Sequence, residues 1–253
     1  FKVMPSAVMY PKDIEDIIIA VKEITEMKKI DQNVSLSVRA GGTCMSGGSL
    51  NTGFILNLTK YMNKVVIDVE HQTATVEMGA YFRDIESEAL KHGLMFAPYT
   101  SSHLICGIGG MIGNNASGEK SIRYGATIDN VLSLEVVLAD GSVISTGPQQ
   151  VATLVQQWAP LLKDGHHLAT SLFDLYEQYG EKLRVAIGNV PKTASGYRLE
   201  RVVSKGSFDM MPIFIGAQGT LGIVTKAVLK LVPLPAFTRL LIISIDSIHD
   251  MPF

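Results

Sequence analysis

The chain has 253 residues, 47% of them hydrophobic, with 22 Lys and Arg against 24 Asp and Glu. That length buries a substantial core, as one large domain or two small subdomains sharing an interface, and the near-balance of charge excludes a basic surface built for nucleic acid. Two cysteines are too few for a disulfide scaffold, no apolar run reaches the roughly 18–20 residues of a spanning helix, and no signal-peptide pattern opens the chain, so a soluble cytoplasmic domain is expected.

Pro11 and Asp13 precede Ile14, Ile17, Ile18, Val21 and Ile24, an apolar stripe at helical spacing with Lys22, Glu23, Lys28 and Lys29 on its solvated side. Val34, Leu36 and Val38 alternate with Ser35 and Ser37. They predict a strand that runs into the glycine-rich stretch Arg39-Ala-Gly-Gly-Thr-Cys-Met-Ser-Gly-Gly-Ser49. Residues 54–58 predict a second strand, which completes a β-α-β unit over 1–61.

A different pattern fills 62–236. Residues 65–69 and 74–78 flank a polar Glu70-His71-Gln72-Thr73 and predict a hairpin. Residues 84–92 predict a helix closed by Gly93 as a left-handed cap. A second glycine-rich stretch, Gly107-Ile-Gly-Gly-Met-Ile-Gly-Asn-Asn-Ala-Ser-Gly118, follows no predicted strand, and a long non-helical stretch is read after its Gly107-Ile-Gly-Gly110. Asp140-Gly141, between strands at 131–139 and 142–146, is the strongest short hairpin signal in the chain. Helical patterns at 150–162 and 171–187 and a strand at 222–232 come next. Residues 240–245 read as the start of a further strand in 237–253, the beginning of a truncated cap domain. With residue 1 a Phe and the chain stopping at Phe253, the natural protein is expected to be longer.

Consecutive glycines and small hydroxyl residues let several backbone N–H groups converge on one point without Cβ interference, which suits a phosphate. Two such stretches suit an extended diphosphate, as in a dinucleotide. A Rossmann site would need G-x-G-x-x-G tight between strand and helix. The second stretch lacks that context, and the hairpins argue for α+β with two unlike sheets rather than a doubly wound parallel sheet.

The first loop, with Arg39 leading and Ser46-Gly-Gly48 following, resembles the pyrophosphate loop of the FAD-binding type-4 oxidoreductases, the vanillyl-alcohol oxidase and p-cresol methylhydroxylase (PCMH) superfamily. Pro98-Tyr-Thr-Ser-Ser102, Gly107-Ile-Gly-Gly110, Asn114-Asn-Ala-Ser-Gly118 and Tyr124-Gly125 resemble that family's second flavin segment. Thr193-Ala-Ser-Gly-Tyr197 and Gly216-Ala-Gln-Gly-Thr-Leu-Gly-Ile-Val-Thr225 follow in the same order. Within the family the chain is most similar to D-lactate dehydrogenases, glycolate oxidase flavin subunits and other FAD-linked 2-hydroxy-acid dehydrogenases.

The resemblance implies a PCMH-type fold of two α+β subdomains with FAD between them. It implies oxidation of a small 2-hydroxy acid by hydride transfer to FAD, with an electron acceptor left open. The catalytic residues, unknown here, are expected on a separate cap, and membrane association only through parts outside this chain. Alternatives are a flavin-binding module without turnover, or a same-fold enzyme of the UDP-sugar enolpyruvyl reductase or ether-lipid synthase type. Expected cofactor contacts in the first loop are Ala40, Gly41, Gly42, Thr43, Cys44, Ser46 and Gly47, with Arg39 more a brace than a contact. In the second segment they are Pro98, Ser101, Ser102, Gly107, Gly109 and Gly110, then Asn114, Ser117, Gly118, Tyr124 and Gly125. Gly222, Ile223 and Val224 offer a backbone edge to flavin or adenine.

Thr43 stands where several relatives carry the histidine that bonds covalently to flavin, which implies non-covalent FAD. Cys106 reads as a small buried thiol and Cys44 as a small loop residue. Gln218 stands where many relatives have Glu. His103 is as readily structural as ring-approaching. The adjacent His166 and His167 read as a solvated turn, with no metal expected, and Trp158 reads as core.

Overall fold

The computed structural model describes residues 2–147, 149–150, 168–188, 193–194, 196–204, 207–244 and 247. The first part is a small parallel sheet of β1 (Ala7–Met9), β2 (Leu36–Arg39) and β3 (Phe54–Asn57) in the order β1-β3-β2, with α1 (Ile14–Ile30) packed on it. Asp13 caps α1 by accepting from Asp16 N, Glu15 and Asp16 sit at its positive end and Lys28 and Lys29 at its negative end. Ile17, Val21 and Ile24 are its buried stripe, as the spacing predicts. Parallel neighbours are usually joined by a crossover helix. Between β2 and β3 the crossover is instead the first glycine stretch, which forms no helix and leaves its amides outside any regular hydrogen-bond ladder.

In the remainder, β4 (Val65–Asp68) and β5 (Thr73–Glu77) form the expected hairpin, followed by α2 (Phe82–Leu90), with Gly93 at φ +66, and the short β6 (Leu94–Met95). Next come α3 (Ile108–Gly113), α4 (Ser121–Tyr124), the hairpin strands β7 (Val131–Val137) and β8 (Val143–Ser145), and β9 (Gln149–Gln150). After these are α5 (Leu168–Ile187), β10 (Val203–Ser204), β11 (Ser207–Phe208), α6 (Met211–Phe214), β12 (Ile223–Lys230) and β13 (Val232–Pro233).

The central sheet is antiparallel in the order β4-β5-β12-β7-β8, so β12 is inserted between the two hairpins and pairs with both. Burial alternates along β12, with Ile223, Thr225, Ala227 and Leu229 facing the core. Thr225 marks a register irregularity against β7, where its hydroxyl donates to Glu135 Oε1 at 2.7 Å. One continuous core joins the two parts, including Ile17, Leu56 and Leu58 from the first and Met78, Phe82, Ile108, Met111 and Leu134 from the second.

Three expectations need correcting. The second glycine stretch is not helix-free: α3 forms because Ile108, Met111 and Ile112, at i, i+3 and i+4, are all buried, and that burial overrides the poor helix propensity of Gly109, Gly110 and Gly113. Gln150 lies in a strand rather than opening a helix, and the rest of 150–162, with Trp158, falls outside the described residues, as do His166 and His167. Residues 240–244 form no strand, and Leu240, Leu241, Ile242 and Ile243 are exposed. Among the described residues no helix is long and apolar enough to cross a membrane.

Candidate functional site

A cleft of about 540 Å³ opens where the two parts meet. One wall is the loop after β2, from Ala40 to Ser49. A second runs from Thr100 through α3 to Ser117. A third comes from Phe214, Ala217, Gln218 and Gly219 and continues to Gly222, Ile223 and Val224 at the start of β12. Leu58 and Met78 also line it. Among the described lining residues there is no Asp, Glu, Lys, Arg or His. The polar surface is made of backbone groups, hydroxyls, amides and two thiols, so an anion here would be held by dipoles rather than by counter-charge.

The two glycine stretches touch. A Cβ on Gly41 would stand 2.5 Å from Ile105 O and 2.7 Å from Gly107 N, and one on Gly107 would stand 2.8 Å from Gly41 N. Gly109 is closed in the same way by Met78 O, at 2.7 Å. These three glycines are required by backbone packing on backbone. Gly110 and Gly219 are different: nothing in the protein lies within 4 Å of where their Cβ atoms would be. Gly110 is also an interior helix residue, where alanine would be favoured by about 1 kcal/mol.

The hydrogen bonds of the two loops differ as well. In the second, Ile108 N donates to Ala80 O, Gly109 N to Met78 O, Met111 N to Gly107 O and Asn114 N to Gly110 O. In the first, the N–H groups of Gly42, Thr43, Cys44 and Met45 find no acceptor among the described residues. Ser46 Oγ lies 2.9 Å from Cys44 Sγ. That hydroxyl, joined by the N–H groups of Ser46, Gly48 and Gly47, holds the Cys44 thiol below the ordinary range against the opposing effect of partial burial. The residues present therefore suit a dinucleotide diphosphate: free amides on one side, open glycines on the other, and no carboxylate to repel it.

Arg39 stands behind its loop. Its Nη1 donates to Ser49 Oγ at 3.3 Å and its guanidinium covers Gly42, whose φ is +67. Gly47 makes a turn at φ +73. Pro98 is buried, and Gly118 packs its backbone on that of Tyr99. Tyr124 O accepts from Asn130 Nδ2, and Gly125, at φ +80, closes α4 against Asp129. These six residues shape the cleft from outside it. The other predicted contacts (Ala40, Gly41, Gly42, Thr43, Cys44 and Ser46; Ser101, Ser102, Gly107, Gly109, Gly110, Asn114 and Ser117; Gly222, Ile223 and Val224) all line it.

Thr100, Met111, Asn115, Ala217, Gln218 and Gly219 line the cleft without having been predicted. Gly219 was findable, because the segment from Gly216 to Thr225 carries the same glycine signature as the other two. His103 takes a structural place, stacked on Tyr99 at 4.5 Å with Nε2 3.0 Å from its hydroxyl. Cys106 is buried, with Sγ 3.4 Å from Thr100 Oγ1. No metal-holding group of His, Cys, Asp and Glu exists among the described residues.

Residues 5–147 match the family described as FAD binding domain. The chain is 30% identical over 249 residues to D-2-hydroxyglutarate dehydrogenase of Pseudomonas putida, covering 98% of this chain and 24% of that protein. It is 31% identical over 252 residues to glycolate oxidase subunit GlcD of Bacillus subtilis, covering 98% of this chain and 41% of that one. The chain thus spans about a quarter of the first relative's length. Among solved structures, an alkyldihydroxyacetonephosphate synthase superposes with a TM-score of 0.61 at 18% identity, over 94% of this chain and 33% of the other, a likeness of fold.

Proposed function

This chain belongs to the FAD-binding domain family, with the PCMH-type α+β fold and FAD as its cofactor, and from that premise we propose that it is the flavin-holding part of an oxidoreductase of small 2-hydroxy acids. FAD sits non-covalently in the glycine-lined cleft. The free amides following Gly41 receive the diphosphate, the open faces of Gly110 and Gly219 admit its close approach, and the Ile223–Val224 backbone edges the ring system. When bound, the flavin supplies a hydride acceptor. This chain's own residues bind it, orient it and exclude water from one side of it.

The observation that carries this reading is the wall itself. It has unsatisfied backbone donors and no Asp, Glu, Lys, Arg or His among the described residues, which suits holding a diphosphate and offers no carboxylate or imidazole to remove a substrate proton. The base then comes from elsewhere in a longer protein, in keeping with relatives of which this chain covers only a part. Non-covalent attachment rests on Thr43, which cannot form an imidazole link, and on the burial of Cys106.

The test begins with apo protein titrated with FAD, which should quench flavin fluorescence to a one-to-one endpoint. Acid precipitation should then leave all the flavin in the supernatant; flavin retained in the pellet would refute non-covalent binding. Anaerobic D-2-hydroxyglutarate, D-lactate and glycolate are added in turn to the loaded protein. An unbleached visible band with FAD bound supports a second reading, a binding module without turnover, which the uncharged wall also favours. The finer assignment of substrate is tested by which acid bleaches the band when the full-length protein is used.

A further inference from the structure

Three non-glycine residues have left-handed backbone among the described residues: Gln72, Asn115 and Gln218. Gln72 lies in the turn between β4 and β5, where a hairpin demands that conformation. The other two stand on the cleft wall. Asn115 is 1% exposed and accounts for itself structurally, because its side chain accepts from Ile128 N and donates to Thr193 O. Gln218 has no such account. It is exposed, and its neighbours Gly216 and Gly219 are left-handed glycines, so glycine would serve its backbone better.

What the glutamine adds is reach. Gln218 N donates to Gly113 O at 2.9 Å, which fixes its backbone to the end of α3. Its Nε2 donates to Asn114 Oδ1 at 3.1 Å, and its Oε1 lies 3.2 Å from where a Cβ on Gly48 would stand. The carboxamide is therefore hydrogen-bonded to the second glycine loop at Asn114 and stands over Gly48 of the first, packed there rather than bonded. We propose that Gln218 is a positioning residue that holds the two loops at one spacing, so that the free amides of the first stay aimed into the cleft. This rests on the reading of the cleft as the FAD site for what those amides receive. The bridge is exposed to water, so it aligns the loops without carrying the fold.

The experiment compares the parent with Gln218→Gly, which relieves the backbone and removes the amide, and Gln218→Asn, which tolerates the backbone and is one methylene too short. Three quantities are read: apo melting temperature, FAD dissociation constant by fluorescence quenching, and the rate of Cys44 alkylation without FAD. Expected are an equal or higher melting temperature, an FAD dissociation constant raised about fivefold, and alkylation of the loosened first loop accelerated about threefold. Melting temperature falling together with affinity would make Gln218 merely structural and overturn the proposal. So would affinity within twofold of the parent, or unchanged alkylation. The alkylation arm needs no flavin: if the parent fails to bind FAD, the functional reading falls, and the clamp still stands or falls on Cys44.

Discussion

The two glycine stretches look alike in sequence and do opposite things in space. The first, a crossover without a helix, keeps the amides of Gly42 to Met45 free among the described residues and braces itself with side chains, Arg39 against Ser49 and Ser46 against Cys44. The second folds into α3 and commits most of its amides to Ala80, Met78 and its own turn, leaving those of Gly107, Gly110 and Ser117 without an acceptor among the described residues. Around the cleft glycine lets backbone meet backbone inside the protein, at Gly41, Gly107 and Gly109, allows a left-handed backbone, at Gly42, Gly47 and Gly219, and at Gly110 meets neither need and leaves open space on the cleft wall. Only Gly110, with neither constraint, points to a ligand.

That division can be broken most forcefully at Gly41. Gly41→Ala pushes a methyl into Ile105 O and Gly107 N, both backbone atoms that cannot step aside. A loss of about 1–3 kcal/mol in denaturant unfolding is expected, with FAD binding lost alongside it. An unchanged midpoint would show that the loops do not need each other. Gly110→Ala should split the two properties. Removing an interior helix glycine raises apo stability by about 0.5–1 kcal/mol, while a methyl in the cleft weakens FAD binding about tenfold, or 1.4 kcal/mol. If affinity holds, Gly110 does not face the cofactor.

A gentler probe is Arg39→Met, which keeps the stem and removes the guanidinium over Gly42. It should cost about 1 kcal/mol of stability and loosen FAD severalfold, and an effect on binding larger than that of Gly110→Ala would make Arg39 a direct contact. The smallest effect is kinetic. With its pKa lowered by the Ser46 hydroxyl and neighbouring amides, the Cys44 thiolate is populated at lower pH than a free thiol. The pH profile of its alkylation should therefore have its midpoint below that of an unperturbed thiol, and saturating FAD should slow the reaction. A midpoint at or above that of a free thiol would show that the Ser46 hydroxyl does not hold Cys44.

Much of this was legible from residues alone. The stripe from Ile17 to Ile24, the Asp140-Gly141 turn and the glycine loops each have a local physical cause, and each is where the sequence puts it. The helix at 108–113 was hidden because its cause is not local: Ile108, Met111 and Ile112 keep helical spacing, but only the core they meet outweighs three glycines. Which glycines face protein and which face open space was equally illegible, since Gly109 and Gly110 are neighbours with opposite surroundings. The role of Gln218 depends on loops brought to it from residues 48 and 114. The strands β9, β10 and β11 have two residues each, too few for any period.

The insertion of β12 between the two hairpins also sets an order of events. Both hairpins close over a few residues and form early, but each then exposes an unpaired edge until a strand from residues 223–230 arrives to satisfy both. During synthesis the half-built sheet must wait until residues 223–230 have emerged, and Ile223 and Val224 are absent from the cleft wall until they do. On the proposed reading of the cleft, FAD is captured only after β12 has joined the sheet. Nascent chains halted before β12 should be sticky, chaperone-dependent and colourless.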